Sequence, residues 1–116
     1  MLPLRRESCV NVSIRIQSRV ITLLRTAEFQ GWLKDLGDLK AKARIAARIV
    51  SAELGNFGDC KPVGEGVSEM RVHFGPGYRV YFARRGETVY LLLAGGEKST
   101  QARDIKRAQL ILQGLK

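Results

Sequence analysis

The hydrophobic period changes midway along this chain, and that change limits the folds open to it. Between Ala27 and Gly55 the apolar residues recur at helical spacing; from Glu69 to Ala83 they alternate as strands do. Phe29, Trp32, Leu33 and Leu36 stand at i, i+3, i+4 and i+7, which gathers them on one face of a helix over about Ala27–Leu36. Thr26 offers an N-cap oxygen and Gly37 a stop. Asp38 caps a second helix over about Leu39–Leu54, with a narrower stripe of Ala41, Ile45, Ile49 and Ala52 and an end at Gly55. Two amphipathic helices joined by so short a link form an antiparallel hairpin. Val20, Ile21, Leu23 and Leu24 ahead of them predict a strand ending near Arg25.

In the second half Met70, Val72 and Phe74 alternate with Glu69, Arg71 and His73. Gly75-Pro76-Gly77 marks a turn, after which Tyr78, Val80 and Phe82 alternate with Arg79, Tyr81 and Ala83. A three-residue loop pairs Phe74 with Tyr78, Val72 with Val80 and Met70 with Phe82, and buries that face against the helical hairpin. The opposite face then sets His73 beside Arg79 and Arg71 beside Tyr81, uncovered by the helices. Val89–Ala94 reads as a buried strand ended by Gly95-Gly96. A basic helix from Thr100 or Gln101 to about Leu112, capped by Ser99 or Thr100, carries Ala102, Ile105, Ala108 and Leu112 on its apolar side. The expected fold is α+β, ordered β-α-α-β-β-β-α: an antiparallel sheet packed against an N-terminal helical hairpin, with a C-terminal helix. Residues 1–18 lack pattern and read as a flexible extension, leaving 19–116 as the domain.

Twenty Lys+Arg against 11 Asp+Glu give a net charge of +9, which calls for a polyanionic partner. At 45% hydrophobic, the chain has enough apolar residues to build a core. No apolar run reaches the ~18 residues of a membrane span. Arg15, Gln17 and Arg19 interrupt Val10–Leu24, so no signal peptide is expected and the predicted location is cytoplasmic. Cys9 and Cys60 fit no metal or redox spacing and read as free thiols in a reducing compartment. A lone histidine without clustered cysteines argues against a metal site, and neither a cofactor nor a small-molecule ligand is expected.

The group types on the sheet face suit a phosphodiester. Arg71 and Arg79 offer bidentate contacts to phosphate oxygens. His73 offers proton transfer near neutral pH, and Tyr81 a stacking surface or a hydroxyl. Attack by an RNA 2′-hydroxyl on its own phosphate requires these groups and no metal. An ordinary solvated sheet face has the same alternation of charge. Lys40, Arg44 and Arg48 recur every four residues on the second helix, and Lys98 and Arg103 lie near the C-terminal helix. Each set can track a phosphate backbone or line a solvated helix face. Gly95-Gly96-Glu97-Lys98-Ser99 lacks the spacing of a nucleotide-triphosphate loop.

Several segments together resemble the RelE/ParE toxin superfamily in its HigB-like "addiction module killer protein" branch. They are Thr26–Leu33, Glu53–Asp59, Lys61–Arg71, Gly75–Phe82 and Leu91–Thr100. The resemblance runs from about residue 19 to the end and marks residues 1–18 as an addition to the usual family start. It implies a type II toxin with a RelE-like fold, restrained by a helix-turn-helix antitoxin encoded nearby. Characterised relatives mostly cut mRNA on the ribosome without metal, and the ParE arm inhibits DNA gyrase instead. A non-catalytic, antitoxin-binding component is a third class. By position, Arg79 matches the phosphate-stabilising arginine of RelE-type nucleases and Arg71 a second family cation. His73, Tyr81 and Lys98 match no settled acid or base.

Overall fold

The computed structural model describes residues 20–115, so the extension expected over residues 1–18 lies outside the described residues. The elements are β1 (Thr22–Arg25), α1 (Ala27–Asp35), α2 (Leu39–Glu53), β2 (Cys60–Gly64), β3 (Val67–Val72), β4 (Tyr78–Arg84), β5 (Val89–Glu97), a 3-10 turn (Lys98–Thr100) and α3 (Gln101–Gly114). The strands form one sheet in the order β1-β5-β4-β3-β2. The fold is α+β, with a five-stranded mixed sheet and three helices.

The caps predicted for the first two helices form. The Thr26 hydroxyl accepts from the Phe29 amide at 3.0 Å, and Asp38 accepts from the amides of Lys40 and Ala41. Thr26 also donates to the Leu93 carbonyl at 2.7 Å, which ties the start of α1 to β5. Phe29 and Leu33 of α1, with Ala41, Ile45, Ile49 and Ala52 of α2, bury against Met70, Val72, Tyr78, Val80 and Phe82. This is the core that the helical and strand periods call for.

Four expectations are corrected. First, the sheet is mixed rather than antiparallel, because β1 lies parallel to β5 at one edge. Second, β2 is an added strand. Lys61-Pro62-Val63-Gly64 shows no alternation, and its proline is tolerated because β2 is the opposite edge. Third, the β3–β4 loop spans residues 73–77, so Val72 pairs with Tyr78, Arg71 with Arg79 and Glu69 with Tyr81. Phe74 leaves the ladder to pack against the hairpin core, with the Arg44 guanidinium 4.7 Å over its ring. The slip is two residues, so every side chain keeps its predicted face.

The fourth correction bears most on function. The face opposite the hairpin is not open: α3 lies across it, and Ala108 and Leu112 bury against Val67, Tyr81, Ala83, Leu91, Leu93 and Ala94. Asp104 belongs to the buried side of α3, whereas Ala102 faces solvent. Thr100 occupies the N-cap position, but its hydroxyl donates to Asp104 and to the Glu97 carbonyl, so it makes no side-chain cap. In addition, Cys60 is disulfide-bonded rather than a free thiol, which removes the argument for a reducing compartment; Cys9 lies outside the described residues.

Gly95-Gly96 does not end β5, which continues to Glu97. A bulge at Leu93 shifts the strand's phase, so that Leu93 and Ala94 both face α3, Gly95 faces Trp32 and Gly96 faces Asp104. A Cβ at Gly95 would collide with the indole, and one at Gly96 with the carboxylate. Gly95→Ala is therefore expected to destabilise by about 1–3 kcal/mol. Gly37→Ala, where nothing lies within 4 Å, is the control. Urea midpoints of the two variants check this, and equal midpoints would contradict the packing at Gly95.

Candidate functional site

The α3-facing side of the sheet is graded from polar to apolar along its strands. Its first row is Arg71, Arg79 and Gly96; the second is Glu69, Tyr81 and Ala94; the third is Val67, Ala83 and Leu91. Ala108 and Leu112 of α3 cover the apolar row, while Asp104 and Gln101 meet the polar ones. Helix and sheet therefore match in polarity, and the charged row lies at the end where α3 begins.

Arg71 and Arg79 are directly opposed across β3 and β4. Such pairs place Cβ atoms about 4.5–5.5 Å apart, and like charges there repel. Each guanidinium has its own carboxylate. Asp59 accepts from Arg71 Nη2 at 2.9 Å, and Glu69 Oε2 lies 3.6 Å from Arg79 Nε. The two pairs differ in kind. Arg71 is properly hydrogen-bonded, whereas Arg79, whose side chain is only 8% exposed, makes no hydrogen bond among the described residues. Its head lies beside Gly77, whose ideal Cβ would be 4.0 Å from Arg79 Nη1 and 3.4 Å from Lys98 Cβ. Lys98 is itself exposed, and its amide donates to the Gly77 carbonyl at 2.8 Å.

Behind Arg79, Glu69 and Tyr81 are sealed beneath α3. Gln101 donates to Glu69 Oε2 at 2.6 Å, while Glu69 Oε1 and the Tyr81 hydroxyl, near enough to influence each other, are buried with no partner in hydrogen-bonding geometry among the described residues. Together with Arg79 Nε, these are three orphaned polar atoms in one cluster. Each costs about 1–3 kcal/mol, so the cluster is not there for stability. Burial, and then the Glu69 and Asp104 carboxylates, push the Tyr81 phenol far above the usual tyrosine range. Tyr81 is protonated at neutral pH and shut away from any stacking partner.

His73 is not beside Arg79. It follows β3 and is exposed, and its Nε2 lies 2.5 Å from Asp59 Oδ2. Asp59 thus joins His73 to Arg71. The His73 contact first, and the Arg71 hydrogen bond second, hold the Asp59 carboxyl below its ordinary value.

The basic stripe on α2 divides by role. Arg48 donates to the Arg71 and Phe57 carbonyls at 2.5 and 2.9 Å, with burial lowering its pKa, so it braces the backbone rather than waiting for RNA. Arg44 stacks on Phe74, and Lys40 is exposed at the start of α2. Arg103 is exposed on α3, 3.4 Å from Asp104. Among the described residues no three His, Cys, Asp or Glu side chains gather to hold a metal, and no helix is long and apolar enough to cross a membrane.

Sequence reasoning placed Glu69 on this face without assigning it a role, and missed Asp59 and Asp104. Two signals were available: Glu69 interrupts the apolar centre of β3, and Asp104 precedes Ala108 and Leu112 by four and eight residues, on their side of α3. Asp59 carries no periodic signal, since it precedes an edge strand.

Tyr81→Phe deletes an orphaned hydroxyl and is expected to leave stability unchanged or raise it by about 1 kcal/mol. Thermal denaturation checks this, and a clear loss would reveal a bonded hydroxyl. Because the Asp59 pKa is depressed on folding, its pairing stabilises the protein above the ordinary carboxylate range and ceases to do so as pH falls through the depressed value. The Tm gap between wild type and Asp59→Asn should therefore be present at neutral pH and close in acid below that range.

No family model matches this chain. Over 95 residues it is 47% identical to an uncharacterized protein of Haemophilus influenzae, a match that spans 82% of this chain and 96% of that protein. Identity of that extent, across nearly the whole of the relative, places the two in one family. The chain belongs to the family of this uncharacterized Haemophilus influenzae protein.

Proposed function

We propose that this protein is the toxin of a type II toxin–antitoxin system, an endonuclease that cuts mRNA on the ribosome and so inhibits translation. One observation carries the reading: Arg71 and Arg79 stand opposite each other at the polar end of the sheet, and among the described residues the Arg79 guanidinium makes no hydrogen bond, its buried Nε included. A phosphate with two anionic oxygens supplies the acceptors that Arg79 lacks, and a transition state with more charge on those oxygens supplies better ones. The RelE-like pattern of Gly75–Phe82 agrees with this placement.

His73 carries the proton-transfer role in place of Tyr81. The histidine is exposed and joined to Arg71 through Asp59, whereas the tyrosine is sealed beneath α3. A 2′-hydroxyl gives its proton to the imidazole as its oxygen attacks phosphorus, the bond to the 5′-oxygen breaks, and that oxygen takes a proton from water. The products are a 2′,3′-cyclic phosphate and a 5′-hydroxyl. The chain's charge of +9, displayed in part by Lys40, Arg44, Lys98 and Arg103, holds the protein on ribosomal RNA by counterion release. The same basic surface receives the helix-turn-helix antitoxin, and the site of action is the cytoplasm, where ribosomes are.

The test is induced expression with mapping of 5′ ends on ribosome-bound messages. Growth arrest with new 5′-hydroxyl ends is expected. Arg79→Ala, folded by circular dichroism, should cut about 10²–10³-fold more slowly. Arrest with intact messages and trapped gyrase–DNA adducts would point instead to a gyrase inhibitor, and harmless overexpression to a non-catalytic antitoxin-binding component. Full toxicity of Arg79→Ala would remove the arginine from the centre.

A further inference from the structure

Asp59 stands between the two accessible members of the site and bonds both. Its Oδ1 accepts from Arg71 Nη2 at 2.9 Å and from Nε at 3.3 Å, and its Oδ2 meets His73 Nε2 at 2.5 Å. The backbone that presents this carboxylate is braced from several directions. The Arg71 amide donates to the Asp59 carbonyl at 2.8 Å. Arg48 reaches across from α2 to the carbonyls of Phe57, Arg71 and, at 3.5 Å, Asp59. Asn56 Oδ1 accepts from the Gly58 amide at 3.0 Å, and Gly58 takes a φ of +66°. Side-chain exposures of 30%, 39% and 70% for Arg71, Asp59 and His73 put the ion pairs in the range where surface bridges add only about 0–1 kcal/mol. So rigid a bracket is therefore better explained by orientation than by stability.

The orientation has a chemical consequence. An ionised carboxylate only accepts hydrogen bonds, so the imidazole nitrogen facing it carries the hydrogen. In neutral His73 that nitrogen is Nε2, and the lone pair is left on Nδ1. We propose that Asp59 is the positioning residue of the RNA-cleaving centre: it holds His73 in its Nε2–H form, leaving Nδ1 to take the 2′-hydroxyl proton, and keeps that ring in register with the Arg71 guanidinium. This rests on the cleavage reading above. Nδ1 takes the proton, the 2′-oxygen bonds to phosphorus, the bond to the 5′-oxygen breaks, and the hydroxide left when water protonates that oxygen recovers the proton from Nδ1. Asp59 is not itself protonated at any step.

Because the chain has a single histidine, nitrogen-15 NMR of imidazole-labelled, full-length protein reports one ring. At alkaline pH the wild type should show one Nε2–H tautomer with a hydrogen-bonded Nε2 proton, and Asp59→Ala a ring exchanging between both tautomers. With ribosome-bound message as substrate, Asp59→Ala should lose about 10²-fold in kcat. Its KM should stay level or fall, because Arg71 is released toward phosphate. Asp59→Glu, which keeps an acceptor at the ring, should recover part of kcat. A wild-type ring with its hydrogen on Nδ1, or a mixture of tautomers, overturns the positioning role whether or not RNA is cut. A folded Asp59→Ala variant with unchanged kcat overturns it too. A fixed tautomer in a wild type that cuts no message overturns the catalytic assignment together with the cleavage reading, a pattern distinct from the other two.

Discussion

Strand β4 is buried on both sides, with Tyr78, Val80 and Phe82 under the helical hairpin and Tyr81 and Ala83 under α3. A strand buried on both faces can bring charged groups into the interior only if partners come with them. Much of the polar architecture follows from that constraint. Glu69 lies opposite Tyr81 and pairs with Arg79, Gln101 reaches Glu69 from α3, and Asp104 sits over the strand position where glycine replaces a side chain. The pairing is incomplete, and among the described residues the incompleteness centres on Arg79, Glu69 and Tyr81.

The hairpin side and the α3 side are joined through β5. The bulge at Leu93 sends two successive side chains to α3, and Thr26 satisfies the displaced Leu93 carbonyl while capping α1. Arg107 of α3 closes the circuit on the surface through a bidentate bridge to Glu28 at 2.6 and 2.8 Å. Arg48 does comparable work at the other edge, where one guanidinium fixes the backbone that presents Asp59. Two residues that a charge map groups with the nucleic-acid surface, Arg48 and Arg107, are thus structural.

Most of the local structure was legible in the chain. Thr26 and Asp38 cap helices because their short side chains reach the first free amides, and the period-2 run around Gly75-Pro76-Gly77 folds as paired strands. Of the site, Arg71 and Arg79 were legible as neighbours on one face, since a two-residue slip preserves faces. Their direct opposition was not, because it depends on Phe74 leaving the ladder for a place beneath Arg44. β2 was hidden because an edge strand containing Pro62 needs neither alternation nor a full ladder. The pair Asp59–His73 was hidden because it joins residues whose proximity follows from the pairing of β2 with β3.

By itself the sequence determined the three helices and the alternating strands β3 and β4, the faces their side chains share, and the excess of positive charge, because those follow from local periodicity and composition. The tertiary structure alone decided which faces are covered. The alternation in β4 describes a half-buried strand and a doubly buried one equally well until α3 arrives from the far end of the chain. Once α3 lies across the sheet, the same tyrosine that reads as an exposed hydroxyl becomes a sealed and protonated one. The same histidine that reads as Arg79's neighbour becomes the partner of Asp59.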